Sequence, residues 1–271
     1  SPAPQMKFVH VHPGPEELGH VYAPDLSIAS SPENFLRAAL GMPIPAAEWR
    51  DWTSGFRKDY EAFQQPVQVP GDLNMCDVIR HISGALPDDT IYTNGAGNYS
   101  VWLHRFHNHR RYRTQLAPTS GSMGYATPAA VAAKLVHPDR TVVCLAGDGC
   151  FLMTAQEMAT ATRYGLAIIY LVVNNGMYGT IRMHQERSHP GRVISTELTN
   201  PDFVTYASAF GIPGEVVAST DDFADALARA EKKISNDSHK DPEQLVPLFR
   251  EWIELLFRHD KLQKLRNLRR Q

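Results

Sequence analysis

The chain has 271 residues, 43% of them hydrophobic, and a formal net charge of −2. That length holds one large or two modest domains with a substantial core, and the balanced charge excludes a general affinity for nucleic acid or membrane surfaces. The cysteines Cys76, Cys144 and Cys150 fit neither a disulfide framework nor a zinc pattern, no apolar run reaches transmembrane length, and the start lacks a signal-peptide profile, so reduced thiols and a cytoplasmic setting are expected.

Ser1–Gln5 reads as unstructured. Residues 6–40 predict a strand (MKFVHVH), a short helix (PEELGHVY), a short strand (LSIAS) and a helix that starts at Ser31-Pro32-Glu33-Asn34, with proline early and an acid in the first turn. This block is too small for a core of its own. Residues 41–70, rich in proline and tryptophan, read as a linker helix and an extended segment. From Gly71 a complete alternating pattern begins: helix (NMCDVIRHISGAL), strand (TIYTN), then Gly95-Ala96-Gly97-Asn98 opening another helix. A basic stretch follows (His104–Arg113), then Gly121-Ser122-Met123-Gly124 and a small-residue helix (ATPAAVAAKLV) suited to close packing on a sheet. Next come the apolar runs TVVCLA and AIIYLVV with a helix between them (TAQEMATATRY), a helix from Pro201, a strand (EVVAS) and a helix (DDFADALARAEKKI). Alternation of this kind predicts an α/β fold, a doubly wound parallel sheet flanked by helices.

The densest signal is Gly147-Asp148-Gly149 at the end of the first apolar run. Asn174-Asn175 ends the second, with Asn175 27 positions beyond Asp148. Strand, helix, strand makes the two runs neighbouring parallel strands, so Asp148 and Asn175 emerge together at the carboxyl edge, where open parallel sheets bind ligands. A carboxylate and an amide oxygen there suit a hard cation that keeps positions open for phosphate oxygens. Gly147 and Gly149 are expected to allow a sharp turn and close approach of a phosphate, and the amides of Gly149 and Cys150 to open the next helix toward an anion. Gly176 and Gly179 loosen the second loop, and Asn174 is expected to pin the turn through side-chain to backbone bonds.

This constellation, completed by Tyr178-Gly179, resembles the cofactor signature of thiamine-diphosphate enzymes, best the acetolactate-synthase-like branch, over roughly residues 6–230. The resemblance implies thiamine diphosphate and Mg²⁺ as cofactors, with Asp148, Asn175 and the main-chain carbonyl of Met177 as metal ligands. It places Gly147, Gly149, Cys150, Tyr178 and Gly179 around the cofactor. Asn98 falls where that branch has a Gly-Gln-His segment near the diphosphate; it either donates to a phosphate oxygen or caps its helix. Met123 matches the apolar residue beneath the bent cofactor, the alternative being a core methionine at a helix start. The implied chemistry is decarboxylation of a 2-oxo acid, the remaining fragment being protonated or joined to a second carbonyl.

In this family the glutamate that promotes deprotonation of the cofactor lies in a separate pyrimidine-binding domain, for which residues 1–70 have no room. Either a second polypeptide brings it or the chain is a truncated, non-catalytic product. No catalytic residue is assigned here. His184 stands where acetolactate synthases place a tryptophan that helps select the second 2-oxo acid, and is either a substrate-facing acid or base or a solvated helix histidine. Family members place their sites between subunits, which implies a homodimer or higher oligomer. The expected organisation is 1–70, a remnant of the central domain plus linker; 71–240, the diphosphate and Mg²⁺ domain; and 241–271, an amphipathic helical tail carrying Leu248, Trp252, Leu255, Leu262, Leu265 and Leu268. Ser235–Lys240 is too polar for the closing strand normal to the family.

Two further readings each meet residues that oppose them. His104, His107 and His109 form a possible metal cluster, but Arg105, Arg110, Arg111 and Arg113 repel a cation, which favours a solvated basic face or a subunit contact. Gly95-Ala96-Gly97 follows a strand as in nicotinamide-dependent dehydrogenases, yet Ser100 replaces the third glycine and no acidic residue ends a suitable second strand.

Overall fold

The computed structural model describes residues 5–43, 46 and 48–237. The predicted tail, 241–271, lies outside the described residues. Two compact units divide the chain at Tyr60 and Glu61.

In the first unit β1 (Val9–His12) and β2 (Leu26–Ala29) form a parallel pair, Val9 opposite Leu26. Only a single 3₁₀ turn, Pro15–Glu17, stands where a helix over 15–22 is expected. Gly19 lies in the left-handed region at φ 79°, which stops the turn from propagating. Helix α1 (Pro32–Leu40) starts as its sequence predicts, with Ser31 Oγ accepting from Asn34 N at 3.3 Å. Helix α2 (Arg50–Phe63) follows and carries the chain across the division.

The second unit holds a four-stranded, all-parallel sheet of order β4-β3-β5-β6. Its strands are β3 (Ile91–Asn94), β4 (Gln115–Leu116), β5 (Val142–Gly147) and β6 (Ile169–Val173). Around them lie α3 (Met75–Ala85), α4 (Ser100–Phe106), α5 (Ala126–Val136), α6 (Asp148–Thr154), α7 (Met158–Arg163), α8 (Gly179–Ser188), α9 (Phe203–Ser208) and α10 (Thr220–Asp237). Every residue of β5 is buried, because helices cover both faces of the sheet. Alternation along the strand divides it between two cores. Val143 and Leu145 join Ile79, Ile82, Leu103 and Leu227 from α3, α4 and α10. Val142, Cys144 and Ala146 join Ala130, Val131, Phe151 and Met158 from α5, α6 and α7. The doubly wound α/β reading therefore holds.

Two further expectations need correction. The helix predicted over 154–164 starts earlier, at Asp148, and is interrupted by a 3₁₀ turn over Ala155–Glu157 before α7. The strand predicted over 215–219 makes no ladder: Val217 packs on the core, but Val216 is 78% exposed. Short β4 was not anticipated, since two residues beside a basic stretch carry no periodic signal. Residues 235–237, within the segment too polar for a closing strand, continue the backbone of α10.

Candidate cofactor site at the sheet switch point

From β3 the chain moves outward to β4, and from β5 outward to β6 on the other side. The winding therefore reverses between β3 and β5, which opens a crevice at their carboxyl ends. The loop Gly95–Tyr99 leaves β3 there, and Gly147–Cys150 leaves β5 beside it. Pairing of Gly147 with Val173 brings the loop after β6 alongside.

Asp148 is 3% exposed. Its Oδ1 accepts from Gly149 N at 2.9 Å, and its Oδ2 accepts from Gly176 N at 2.8 Å and from Asn200 Nδ2 at 2.7 Å. Two acceptors thus hold the carboxylate at three points, with one lone pair of Oδ1 still open. Asn175 Oδ1 accepts from Met177 N at 3.2 Å, and the Met177 carbonyl accepts from Gly179 N at 2.9 Å. The turn is therefore pinned by Asn175, not by Asn174 as expected. Asn174 Oδ1 instead accepts from the second hydrogen of Asn200 Nδ2, at 2.8 Å.

A strap beyond α8 stabilises this loop. Tyr178 N donates to Thr196 O and Leu198 N to Gly176 O, both at 2.8 Å, and Met177 bridges Glu197 in antiparallel fashion. Gln185 and Ile194 exchange two bonds that anchor the strap to α8. The strap ends at Asn200, a residue that sequence reasoning did not select. Its only local signal was its place before the Pro201-Asp202 helix start, where Asp202 accepts from Thr205 N at 2.6 Å.

The glycines of the motif serve a different steric purpose from the expected sharp turn. Gly147 has ordinary extended dihedrals, φ −71° and ψ 155°. A β-carbon there would stand 2.8 Å from the Tyr99 ring, and one on Gly149 would stand 2.6 Å from Tyr178 Cε1 and 3.2 Å from Leu198. Tyr99 and Tyr178 thus lie directly on the bare backbone. Gly176, by contrast, needs its freedom, with φ 67°. The Gly149 amide is engaged by Asp148, while the Cys150 thiol donates to Ala96 O at 3.0 Å and ties the two loops.

Asn98 does not cap α4. Its Oδ1 accepts from Thr180 Oγ1 at 3.0 Å, and its N–H donates to the same hydroxyl at 3.0 Å, which links the β3 loop to α8. Met123 is partly buried in the loop before α5 and belongs to neither core cluster. His184 is exposed on α8.

The histidine stretch is not simply a solvated face. His107 Nδ1 lies 2.6 Å from Ser83 Oγ and His109 Nδ1 2.9 Å from Thr114 Oγ1, while the His107 ring sits 4.3 Å from Tyr92 and 4.4 Å from His109 between centroids. Burial, reinforced by His109 and Arg110, pushes His107 down to about 4. His109 is lowered too, by burial and then by His104. Among the described residues no three His, Cys, Asp or Glu side chains gather as metal ligands, and no helix is long and apolar enough to cross a membrane.

A doubly wound parallel α/β domain with glycine-floored loops at its switch point has the crevice in which open parallel sheets bind their ligands. The chain belongs to the family described as "Thiamine pyrophosphate enzyme, C-terminal TPP binding domain", which matches residues 95–240. It is 32% identical to the acetolactate synthase large subunit of Corynebacterium glutamicum, over 84% of this chain and 38% of that protein. It is 31% identical to the acetolactate synthase of Mycobacterium leprae, over 84% of this chain and 39% of the relative. It is 30% identical to the isozyme 2 large subunit of Escherichia coli K12, over 83% and 41%. The chain thus spans about two fifths of the length of these relatives.

Proposed function

We propose that this chain is the diphosphate- and Mg²⁺-binding part of a thiamine-diphosphate-dependent 2-oxo acid decarboxylase or carboligase of the acetolactate-synthase-like kind. The observation that carries this reading is the 2.8 Å bond from Gly176 N to Asp148 Oδ2, which joins the two halves of the motif across neighbouring parallel strands.

The donor set fits the metal. One carboxylate, one amide oxygen and one main-chain carbonyl are hard oxygen ligands that leave positions for phosphate oxygens and water. Asp148 Oδ1, Asn175 Oδ1 and the Met177 carbonyl each accept one backbone bond and keep a second lone pair. Asp148 supplies the single formal charge, Asn175 and Met177 complete the ligands, and Gly147, Gly149, Cys150, Tyr178 and Gly179 line the approach. Asn98 is assigned to the diphosphate and Met123 to the face beneath the cofactor. When bound, thiamine diphosphate supplies the carbon nucleophile that attacks a 2-oxo acid. His184, exposed on α8, is assigned to the substrate side.

Turnover is proposed to require also the glutamate of a pyrimidine-binding domain, which lies outside these 271 residues. Exposed apolar residues on the helices that leave the carboxyl edge (Val101 on α4, Leu152 and Met153 on α6, Ile181 and Met183 on α8) support a partner surface there. Residues 1–70 are assigned to the end of the preceding domain with its linker, and 71–240 to the cofactor domain. The buried, unpaired cysteines accord with a reducing, cytoplasmic setting.

Calorimetric titration with thiamine diphosphate, with and without Mg²⁺, tests the reading. Metal-dependent binding is expected. Binding in neither condition would favour the second reading, a fragment that keeps the fold without the function.

A further inference from the structure

We infer that Asn200 is a positioning residue for the metal: it locks one oxygen of Asp148 so that the carboxylate presents the other, Oδ1, to the cation. The inference rests on the proposed Mg²⁺ site.

The geometry leaves little freedom. Both hydrogens of Asn200 Nδ2 are used, one on Asp148 Oδ2 at 2.7 Å and one on Asn174 Oδ1 at 2.8 Å. A carboxylate only accepts, which fixes the amide orientation with nitrogen toward Asp148. With Gly176 N also on Oδ2, both lone pairs of that oxygen are committed. Oδ1 carries only the bond from Gly149 N, so a cation gains a ligand there without breaking an existing bond. Oδ1 of Asn200 is shielded from solvent and has no protein partner among the described residues, so the amide serves this network through its donor end alone.

The fold makes the lock rigid. Asn200 stands at the end of the strap pinned to Gly176 and Tyr178, directly before the capped start of α9. One side chain therefore joins the end of β5 to the end of β6. A neutral donor suits this place. It orients the carboxylate while leaving its negative charge for the cation, whereas an aspartate would repel Asp148 and a lysine would neutralise it. Partners of metal ligands of this kind typically change metal affinity by about 10–100-fold when removed.

The test titrates the full chain with thiamine diphosphate at graded Mg²⁺, comparing wild type, Asn200→Ala, Asn200→Ser and Asn174→Ala, with thermal unfolding measured without metal. Asn200→Ala is expected to raise the half-saturating Mg²⁺ about tenfold, with cofactor affinity at saturating Mg²⁺ within about twofold of wild type. Asn200→Ser keeps one donor and should fall between; it carries the test if the alanine variant does not fold. Asn174→Ala leaves the bond to Asp148 intact and should shift the half-saturating Mg²⁺ by less than about twofold. Unchanged Mg²⁺ dependence in the foldable Asn200 variants, with metal-dependent binding in wild type, would overturn the role of Asn200 alone. Wild-type binding that is absent or indifferent to Mg²⁺ would overturn the metal reading and this role together.

Discussion

The ring of Tyr99 lies on the backbone of Gly147, so that a β-carbon on the glycine would come within 2.8 Å of both Cδ1 and Cε1. The loop after β3 thereby closes over the end of β5 at the point where the sheet reverses. Gly147→Ala must push the ring aside, and overpacking of this kind costs about 1–3 kcal/mol. In a Tyr99→Ala background the same change should cost far less, because its obstacle is gone. Chemical denaturation of the four proteins gives the coupling. Additive effects would show that the ring does not dictate glycine here.

The His107 site predicts a pH dependence of stability. Its folded value is depressed from 6.5 to about 4, first by burial and then by His109 and Arg110, so folding favours the neutral ring. This contribution is fully present above pH 6.5 and is lost as pH falls from there toward 4, because the unfolded chain takes up the proton first. The ring is only partly buried, which reduces the effect to on the order of 1 kcal/mol. Unfolding midpoints between pH 7 and 5 should therefore fall less steeply for His107→Gln than for wild type. Parallel slopes would assign the loss to other groups.

Much of this was legible because strand and helix signals in the second unit are strong. Continuous apolar runs at β5 and β6 reflect packing on both faces, complete along β5 and partial along the edge strand β6, and the small-residue pattern of α5 reflects close packing on the sheet. What escaped notice lacked a local signature. The contact of Asn200 with Asp148 spans 52 positions and is set by the strap, not by either neighbourhood. The roles of Asn174 and Asn175 depend on which side chain the turn aims inward, which identical residue types cannot reveal. The short apolar run within 215–219 resembled a strand, but a strand also needs a neighbour with free backbone groups, and none pairs with it among the described residues.

Asn74 joins distant parts of the second unit. It is 8% exposed and caps α3 by accepting from Cys76 N at 3.0 Å. Its Nδ2 donates to Val67 O at 2.8 Å, and its backbone N–H donates to Thr220 Oγ1 at 2.7 Å, at the first residue of α10. Asn74→Ala removes the cap and strands a carbonyl, for an expected loss of about 2 kcal/mol. Asn74→Asp should recover the cap but not the bond to Val67. Denaturant midpoints for the two variants separate these contributions, and equal losses would show that the cap contributes nothing.

The metal assignment makes Asp148 and Asn175 unequal. Asp148 brings the only formal charge among the proposed ligands, and it also anchors Gly149 N, Gly176 N and Asn200. Asp148→Ala would confound the two roles, since three donors lose their acceptor. Asp148→Asn separates them by keeping the shape and an acceptor oxygen while removing the charge. It should abolish Mg²⁺-dependent binding of thiamine diphosphate with a smaller loss of stability than the alanine variant. Asn175→Ala removes a neutral ligand and the bond to Met177 N, and should weaken metal-dependent binding by about tenfold, the lower end for metal-site partners. Calorimetry at fixed cofactor and graded Mg²⁺ measures both. If Asp148→Asn retains the wild-type Mg²⁺ dependence, the cation does not bind at the ends of β5 and β6.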